Sequence, residues 1–280
     1  MTATTAPLTA VPEPEGRATP RRYLMCRPDH FEVSYAINPW MDTSTPVDRA
    51  RAIGQWEALR AAYVAHGHTV ETLAPEPGLP DMVFAANGGI AIGERAMAAR
   101  FVHPERQPEG DAYQAWFEQA HRDVTRSTDD NEGQGDFLQV GEIMLAGTGF
   151  RTSVAAHREV ERFFGVPVVT LELVDPRFYH LDTALAVLDA ETVAYYPPAF
   201  TPASRTLLRR LFPDAIIATD EDAAVLGLNA VSDGHHVFLS AAATGLHDAL
   251  RVRGFEPVGI ELSELLKAGG SVKCCTLELH

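Results

Sequence analysis

Residues 178–196 read FYHLDTALAVLDAETVAYY, and both the fold class and part of the chemistry can be read from that stretch. Between Ala184 and Tyr196, two short apolar runs flank Asp189-Ala190-Glu191, the pattern of a β-hairpin closed by a polar turn. Immediately before it, Phe178-Tyr179-His180-Leu181-Asp182-Thr183 places an imidazole and a carboxylate two positions apart, on one side of the chain if it is extended. Further strand signals lie at residues 22–26, 168–173, 215–218 and 236–239. Helical patterns separate several of them, at 44–67, 112–122, 153–164, 203–211, 241–253 and 263–268. The clearest helix opens at Ser44-Thr45-Pro46, a hydroxyl cap followed by proline, and ends near His66-Gly67. Along it Ile53, Trp56, Leu59 and Tyr63 recur at helical spacing, which reads as a core stripe. Interleaved strands and helices indicate an α/β or α+β domain with mixed strand pairing.

No Pro/Gly/Ser linker divides residues 23–280, so they read as one domain, and no internal repeat is visible in them. Residues 1–22 are rich in Thr, Ala and Pro without the apolar core of a signal peptide, and read as a disordered tail. A chain of 280 residues can bury a full core, and 46 % hydrophobic with 22 % charged residues is an ordinary globular balance. The net charge of −15, with no basic patch, argues against nucleic-acid or anionic-membrane partners. No apolar run approaches the roughly 20 residues of a membrane span. The three cysteines, Cys26, Cys274 and Cys275, give no disulfide framework, so a reducing cytoplasm is expected. The sequence leaves homo-oligomerisation open.

Nucleotide motifs are missing: there is no Gly-rich loop ending in Lys-Ser/Thr and no Gly-x-Gly-x-x-Gly after a strand. Glu132-Gly133-Gln134-Gly135-Asp136 is Gly-rich but acidic, which suits a cation rather than a phosphate. His66-x-His68 and His235-His236 are the only close histidines and read as ordinary strand or loop residues, so neither a metal nor a cofactor is expected. Three segments stand out. Residues 79–89, LPDMVFAANGG, set a carboxylate, an aromatic and an amide in and around a short apolar strand; residues 178–183 add imidazole and carboxylate; residues 267–276, KAGGSVKCCT, bring thiols after a glycine pair. Acids, imidazole and thiol together form the inventory for covalent attack on a planar cationic carbon. A guanidinium is a poor electrophile. It needs carboxylates to bind and polarise it, a thiolate to attack it, and an acid for the departing amine. On this reading the pKa of the Cys274 thiol is lowered by the bound cation and by His180.

These segments resemble the guanidino-group-modifying enzymes of the pentein superfamily, which include arginine deiminase, dimethylargininase, the amidinotransferases and, most similar, the arginine dihydrolase domain of cyanobacteria. The likeness runs from about Tyr23 to the C-terminus through residues 25–30, 37–41, 79–89, 132–136, 149–151, 175–183 and 267–276, in that order. It implies a pentein fold, a five-bladed α/β-propeller of ββαβ units around a pseudo-fivefold axis with the site at its centre. It also implies Cys274 as nucleophile, His180 as general acid/base and Glu132 as the carboxylate beside His180. Asp182 and Asn87 fall where the family holds the guanidinium nitrogens, and Phe84 where a ring packs on its plane. Asp81 and Asn38 are implied as further substrate contacts, and Arg100 and Arg151 as the grip on an α-carboxylate. Dimethylargininases resemble His-Leu-Lys where this chain has His180-Leu181-Asp182, and dihydrolases resemble it in having Asn at position 87. The implied activity is therefore hydrolysis of L-arginine to ornithine, ammonia and carbon dioxide, with dimethylargininase, arginine deiminase and amidinotransferase as alternatives. Cys275 and the run Thr183-Ala184-Leu185-Ala186 depart from the cyanobacterial pattern. The same fold also serves a ribosome anti-association factor that binds without catalysis, but that role does not need the thiol, histidine and carboxylates present here.

Overall fold

The computed structural model describes residues 18–280. One local wiring recurs through it: two antiparallel strands, then a helical crossover to a third strand parallel to the second. The chain opens with β1 (Arg22–Cys26), α1 (Arg49–Ala65) and β2 (Thr69–Leu73), and continues with β3 (Gly89–Ile92), β4 (Arg95–Ala98), α2 (Glu109–Ala120) and β5 (Asp123–Arg126). Next come β6 (Phe137–Val140), β7 (Ile143–Thr148), α3 (Val154–Phe164) and β8 (Val168–Glu172). A short turn of helix, α4 (Leu181–Ala184), leads into β9 (Leu185–Val187), β10 (Val193–Tyr195), α5 (Pro202–Leu211) and β11 (Ile216–Ile217). After α6 (Asp220–Ala224) follow β12 (Val231–Ser232), β13 (His236–Ser240), α7 (Thr244–Val252) and β14 (Glu256–Ile260), then α8 (Ser263–Leu266) and β15 (Leu277–Glu278).

Among the described residues these strands form five three-stranded sheets, ordered β15-β1-β2, β3-β4-β5, β6-β7-β8, β9-β10-β11 and β12-β13-β14. In each the first pair is antiparallel and the second parallel. A parallel neighbour cannot be reached by a tight turn, so every parallel pair requires its helix. The first sheet is completed by the end of the chain, where β15 pairs with β1 through Tyr23–Glu278 and Leu24–Leu277. The chain is thus a mixed α/β fold built from a repeated unit that its residues do not advertise.

Local chemistry explains most elements and corrects some expectations. The helix expected from Ser44 begins later. The Ser44 and Thr45 hydroxyls donate to Asp42, and Asp48 caps α1 by accepting from the Arg51 amide at 3.0 Å. Its stripe is otherwise as expected, with Trp56, Leu59 and Tyr63 buried and Ile53 half-buried. Ser153 and Thr201 cap α3 and α5 in the same way. At the 184–196 hairpin, Asp189 Oδ1 accepts from the Glu191 and Thr192 amides at 2.9 and 2.7 Å, fixing the turn. Residues 79–89 are not a strand up to Gly88: they coil as 3-10 turns Pro80–Val83 and Ala85–Gly88. Nor are residues 178–183 extended throughout, because Asp182 lies in α4 while His180, just before it, is extended. Of the expected tail, residues 1–17 lie outside the described residues. The remainder is attached to the fold: the Thr19 amide donates to the Asp233 carbonyl at 3.0 Å, and Arg22 opens β1. No helix among the described residues is long and apolar enough to cross a membrane.

Asp48→Ala should cost about 1 kcal/mol of stability and Ser44→Ala less than about 0.5 kcal/mol, read from urea midpoints at unchanged slope. The reverse order would put the cap where the sequence suggested it.

Candidate active site

The thiol segment is set by two glycines. Gly269 adopts φ +81°, with Trp40, Asn38 and Tyr179 closing around it, and a side chain at Gly270 would collide with the Phe84 ring. Beyond them Cys274 packs into the core that contains Tyr23, Trp56, Tyr63 and Phe238. Asn229, just ahead of β12, holds this loop in place. Its Oδ1 accepts from the Ser271 and Cys274 amides at 3.1 and 3.0 Å. Its Nδ2 donates to the Asp182 carbonyl and to the Cys274 sulfur, both at 3.1 Å. Sequence reading missed Asn229, a lone amide with no motif around it; only the fold brings it to residues 42 and 45 positions further along.

The Cys274 thiol donates to Asp182 Oδ2 at 3.4 Å. Asp182 is fully buried and its Oδ1 has no hydrogen-bond partner. Burial pushes the Asp182 carboxyl up to about 7, against the opposing pull of Lys273 and of the thiol hydrogen bond. Burial, then the neighbouring Asp182, pushes the Cys274 thiol well above its ordinary value. The sequence expectation of a lowered thiol included a bound cation; among the protein's own groups, burial and Asp182 set the direction, which is upward. His180 instead meets Glu132, with Nε2 at 2.7 Å from Oε2. Arg151 donates to both Glu132 oxygens at 3.2–3.3 Å. Burial alone would raise the Glu132 carboxyl, but Arg151 and His180 outweigh it and hold it well below the usual range. Asp136, from the same acidic loop, accepts from the Leu181 amide at 3.0 Å, and burial lifts its carboxyl to about 6.

The remaining expected residues divide. Asn87 and Asp81 meet around a buried arginine that the sequence reading did not select: Arg106 donates to Asn87 Oδ1 at 2.9 Å and to the Asp81 carbonyl at 3.2 Å, and pairs with Glu109. Asp81 Oδ2 accepts from Tyr35 at 2.9 Å, its Oδ1 has no partner, and burial raises its carboxyl. Phe84 is buried, against Phe31 and the Gly270 backbone. Arg151 stacks its guanidinium over the Tyr179 ring at 4.7 Å. Asn38 braces the glycine loop, donating to the Ala268 carbonyl at 3.1 Å and accepting from the Trp40 amide at 2.9 Å. Arg100 stays outside. Its side chain is 54 % exposed and turns to the Thr128 carbonyl and Asp130. The interior thus holds a thiol against a carboxylate, an imidazole against a second carboxylate, and buried oxygens of Asp81, Asp136 and Asp182 without donors. Such a set has the chemistry to accept from a planar, multiply donating cation beside a thiol.

Fold, site and relatives together define a cysteine-dependent hydrolase acting on guanidino carbon–nitrogen bonds. The family described as "N,N dimethylarginine dimethylhydrolase, eukaryotic" matches residues 27–280, so the chain belongs to that family, within the pentein superfamily. It is similar to the N(G),N(G)-dimethylarginine dimethylaminohydrolase of Mycobacterium tuberculosis, 58 % identical over 94 % of this chain and 88 % of that protein. It is 38 % identical to the bifunctional arginine dihydrolase/ornithine cyclodeaminase ArgZ of Synechocystis over 92 % of its length, but spans only 37 % of ArgZ. The solved N-terminal domain of ArgZ, a cysteine-to-serine mutant bound to substrate, superposes with a TM-score of 0.89 at 36 % identity, covering 92 % of this chain and 98 % of that one. The dimethylarginine hydrolase structure from Pseudomonas aeruginosa shares the fold at a TM-score of 0.77 and 19 % identity, covering 92 % and 98 % of the two chains.

Asn229→Ala removes the donor to the sulfur and both acceptor contacts to the thiol loop. Turnover should fall on the order of 10²-fold with the fold retained by circular dichroism; unchanged turnover would mean that the loop needs no such clamp.

Proposed function

We propose that the chain hydrolyses an ω-N-methylated arginine, with dimethylarginine giving citrulline and dimethylamine. The hydrogen bond from the Cys274 thiol to the buried Asp182 carries the chemical part of this reading, and the relative at 58 % identity supports the choice of substrate. Asp182, Asp81 and Asn87 would receive the guanidinium, with Phe84 packed on its plane, and Arg151 would grip the α-carboxylate. The five sheets of common wiring support a reading in which they are blades around a pseudo-fivefold axis and residues 23–280 form one catalytic domain. Three free, buried cysteines suit a reducing cytoplasm.

When the cation docks, its charge offsets Asp182 and favours the thiolate. The thiol proton passes to His180, whose imidazolium Glu132 stabilises. The sulfur then bonds to the guanidinium carbon, the carbon–nitrogen bond to the methylated amine breaks, and His180 returns the proton to that amine. In the second half, water loses a proton to His180 and attacks the amidino-thioether. The carbon–sulfur bond breaks, and the sulfur recovers its proton, leaving a ureido product.

A second reading, arginine taken through a citrulline-like intermediate to ornithine, is favoured by Asn87. Beside Asp182, an amide serves a neutral ureido group better than a second anion would. Mass-resolved products separate the two. Dimethylamine with citrulline from dimethylarginine, at higher kcat/KM than for arginine, is expected; ornithine with two equivalents of ammonia from arginine would replace the first reading by the second.

Because burial puts the Asp182 carboxyl near 7, it is neutral at lower pH and binds a cation poorly. Ligand affinity of Cys274→Ser should therefore rise with pH up to about 7 and level off above it, as read by calorimetry. A flat profile from pH 5.5 to 8.5 would show that Asp182 does not govern binding.

A further inference from the structure

Two histidine pairs with no role in the thiol chemistry, His66/His68 and His235/His236, are brought together beside β13. From that convergence we propose a divalent transition-metal site formed by His235, His236 and Glu256, of the class that binds zinc(II). One ligand atom from each of the three lies within 4.8 Å of the others. Glu256 Oε2 is 3.6 Å from His235 Nε2 and 3.8 Å from His236 Nε2. A tetrahedral zinc with bonds of about 2.0–2.1 Å places its ligand atoms roughly 3.3–3.4 Å apart, so both distances to Glu256 lie a few tenths of an ångström from the metal-bound value, and side-chain rotation of the two imidazoles would bring the third pair to it.

The contacts of the rings support the same conclusion. His236 Nδ1 lies 2.8 Å from Asp233 Oδ2, a buried carboxylate that can only accept, while its Nε2 faces Glu256. A carboxylate behind a histidine in this way is the usual outer support of a metal-bound imidazole. His235 turns its Nε2 to the same Glu256 oxygen, while its buried Nδ1 has no hydrogen-bond partner.

The backbone holds these groups rigidly. Asp233 Oδ1 accepts from the His235 and His236 amides at 2.8 and 2.7 Å. Gly234 turns the chain at φ +98°, the Glu256 amide donates to the His235 carbonyl at 2.9 Å, and His236 is paired with Glu256 in the sheet register. Around the cluster, His66 packs edge-on against His236 with ring centroids 4.6 Å apart, and His68 Nε2 faces Asp233 Oδ2 at 3.3 Å. Glu256 is exposed enough for water to complete the coordination. The metal would clasp the β12–β13 turn to the parallel strand β14. Asn229 enters the same sheet at the opposite end of β12.

The test is calorimetric titration of ZnCl₂ into untagged protein, both wild type and Cys274→Ser, the latter so that the active-site thiol cannot take the metal. One site is expected in Cys274→Ser, lost in Cys274→Ser/His235→Gln and in Cys274→Ser/Glu256→Gln, with a raised melting temperature only where it is present. Cobalt(II) in place of zinc should show visible bands without a thiolate charge-transfer feature. Because His235 and Glu256 are partly exposed, both variants should keep the wild-type circular dichroism and, with Cys274 restored, wild-type turnover. No binding in Cys274→Ser, or equal binding in the His235 and Glu256 variants, would overturn the proposal.

Discussion

The Cys274 thiol donates to Asp182 Oδ2 at 3.4 Å, and neither side chain has appreciable access to water. In that setting a thiolate and a carboxylate side by side would be two unsolvated anions: burial raises both groups and Asp182 raises the thiol further, while the thiol's hydrogen bond draws Asp182 back down. Burial thus disfavours the charged form of both groups, and a cation docking beside them would favour it. In the proposed mechanism, activation of the thiol is tied to that docking.

That coupling depends on position, and position is supplied by segments far apart in the chain. Asn229 clamps the thiol loop, while the Cys274 carbonyl accepts from the Ala86 amide at 3.0 Å, joining it to the 3-10 turn that carries Asn87. Glu132 and Arg151 come from the third sheet unit and its approach, and His180 and Asp182 from the entry to the fourth. Buried charges of this density are tolerable only when paired. Arg106 with Glu109, Arg151 with Glu132 and Lys273 with Glu278 supply that pairing. Asp81 and Asp182 each keep one oxygen without a donor. In the proposed function those two oxygens accept from the N–H groups of the guanidinium.

Legibility in the sequence followed local chemistry. Strand β1, the 184–196 hairpin and the Ser153-capped helix were readable because a compact apolar run, an Asx turn and a hydroxyl cap each act within a few residues. Strands β3 and β4 were not, being four residues long and rich in Ala, Gly or Met, so their burial comes from tertiary neighbours rather than propensity. The five-fold recurrence of one wiring was invisible for the same reason: the repeat lies in topology, not in residue type. At the site, Cys274, His180, Glu132, Asp182, Asn87 and Asp81 could be named from motif resemblance. Asn229 and Arg106 could not, since nothing next to them in the chain signals a role, and Arg100 was placed inward although its side chain faces Asp130 and solvent. The two histidine pairs were legible singly, but the approach of His235 and His236 to Glu256, with His66 packed against His236, was not.

The most direct test of nucleophilic attack by Cys274 is rapid acid quench during turnover, followed by mass spectrometry of the peptide that carries it. An amidino adduct on Cys274, accumulating before steady state and absent from Cys274→Ser, is the expected result. Turnover with no adduct on any quench timescale, or an adduct confined to Cys275, would contradict it.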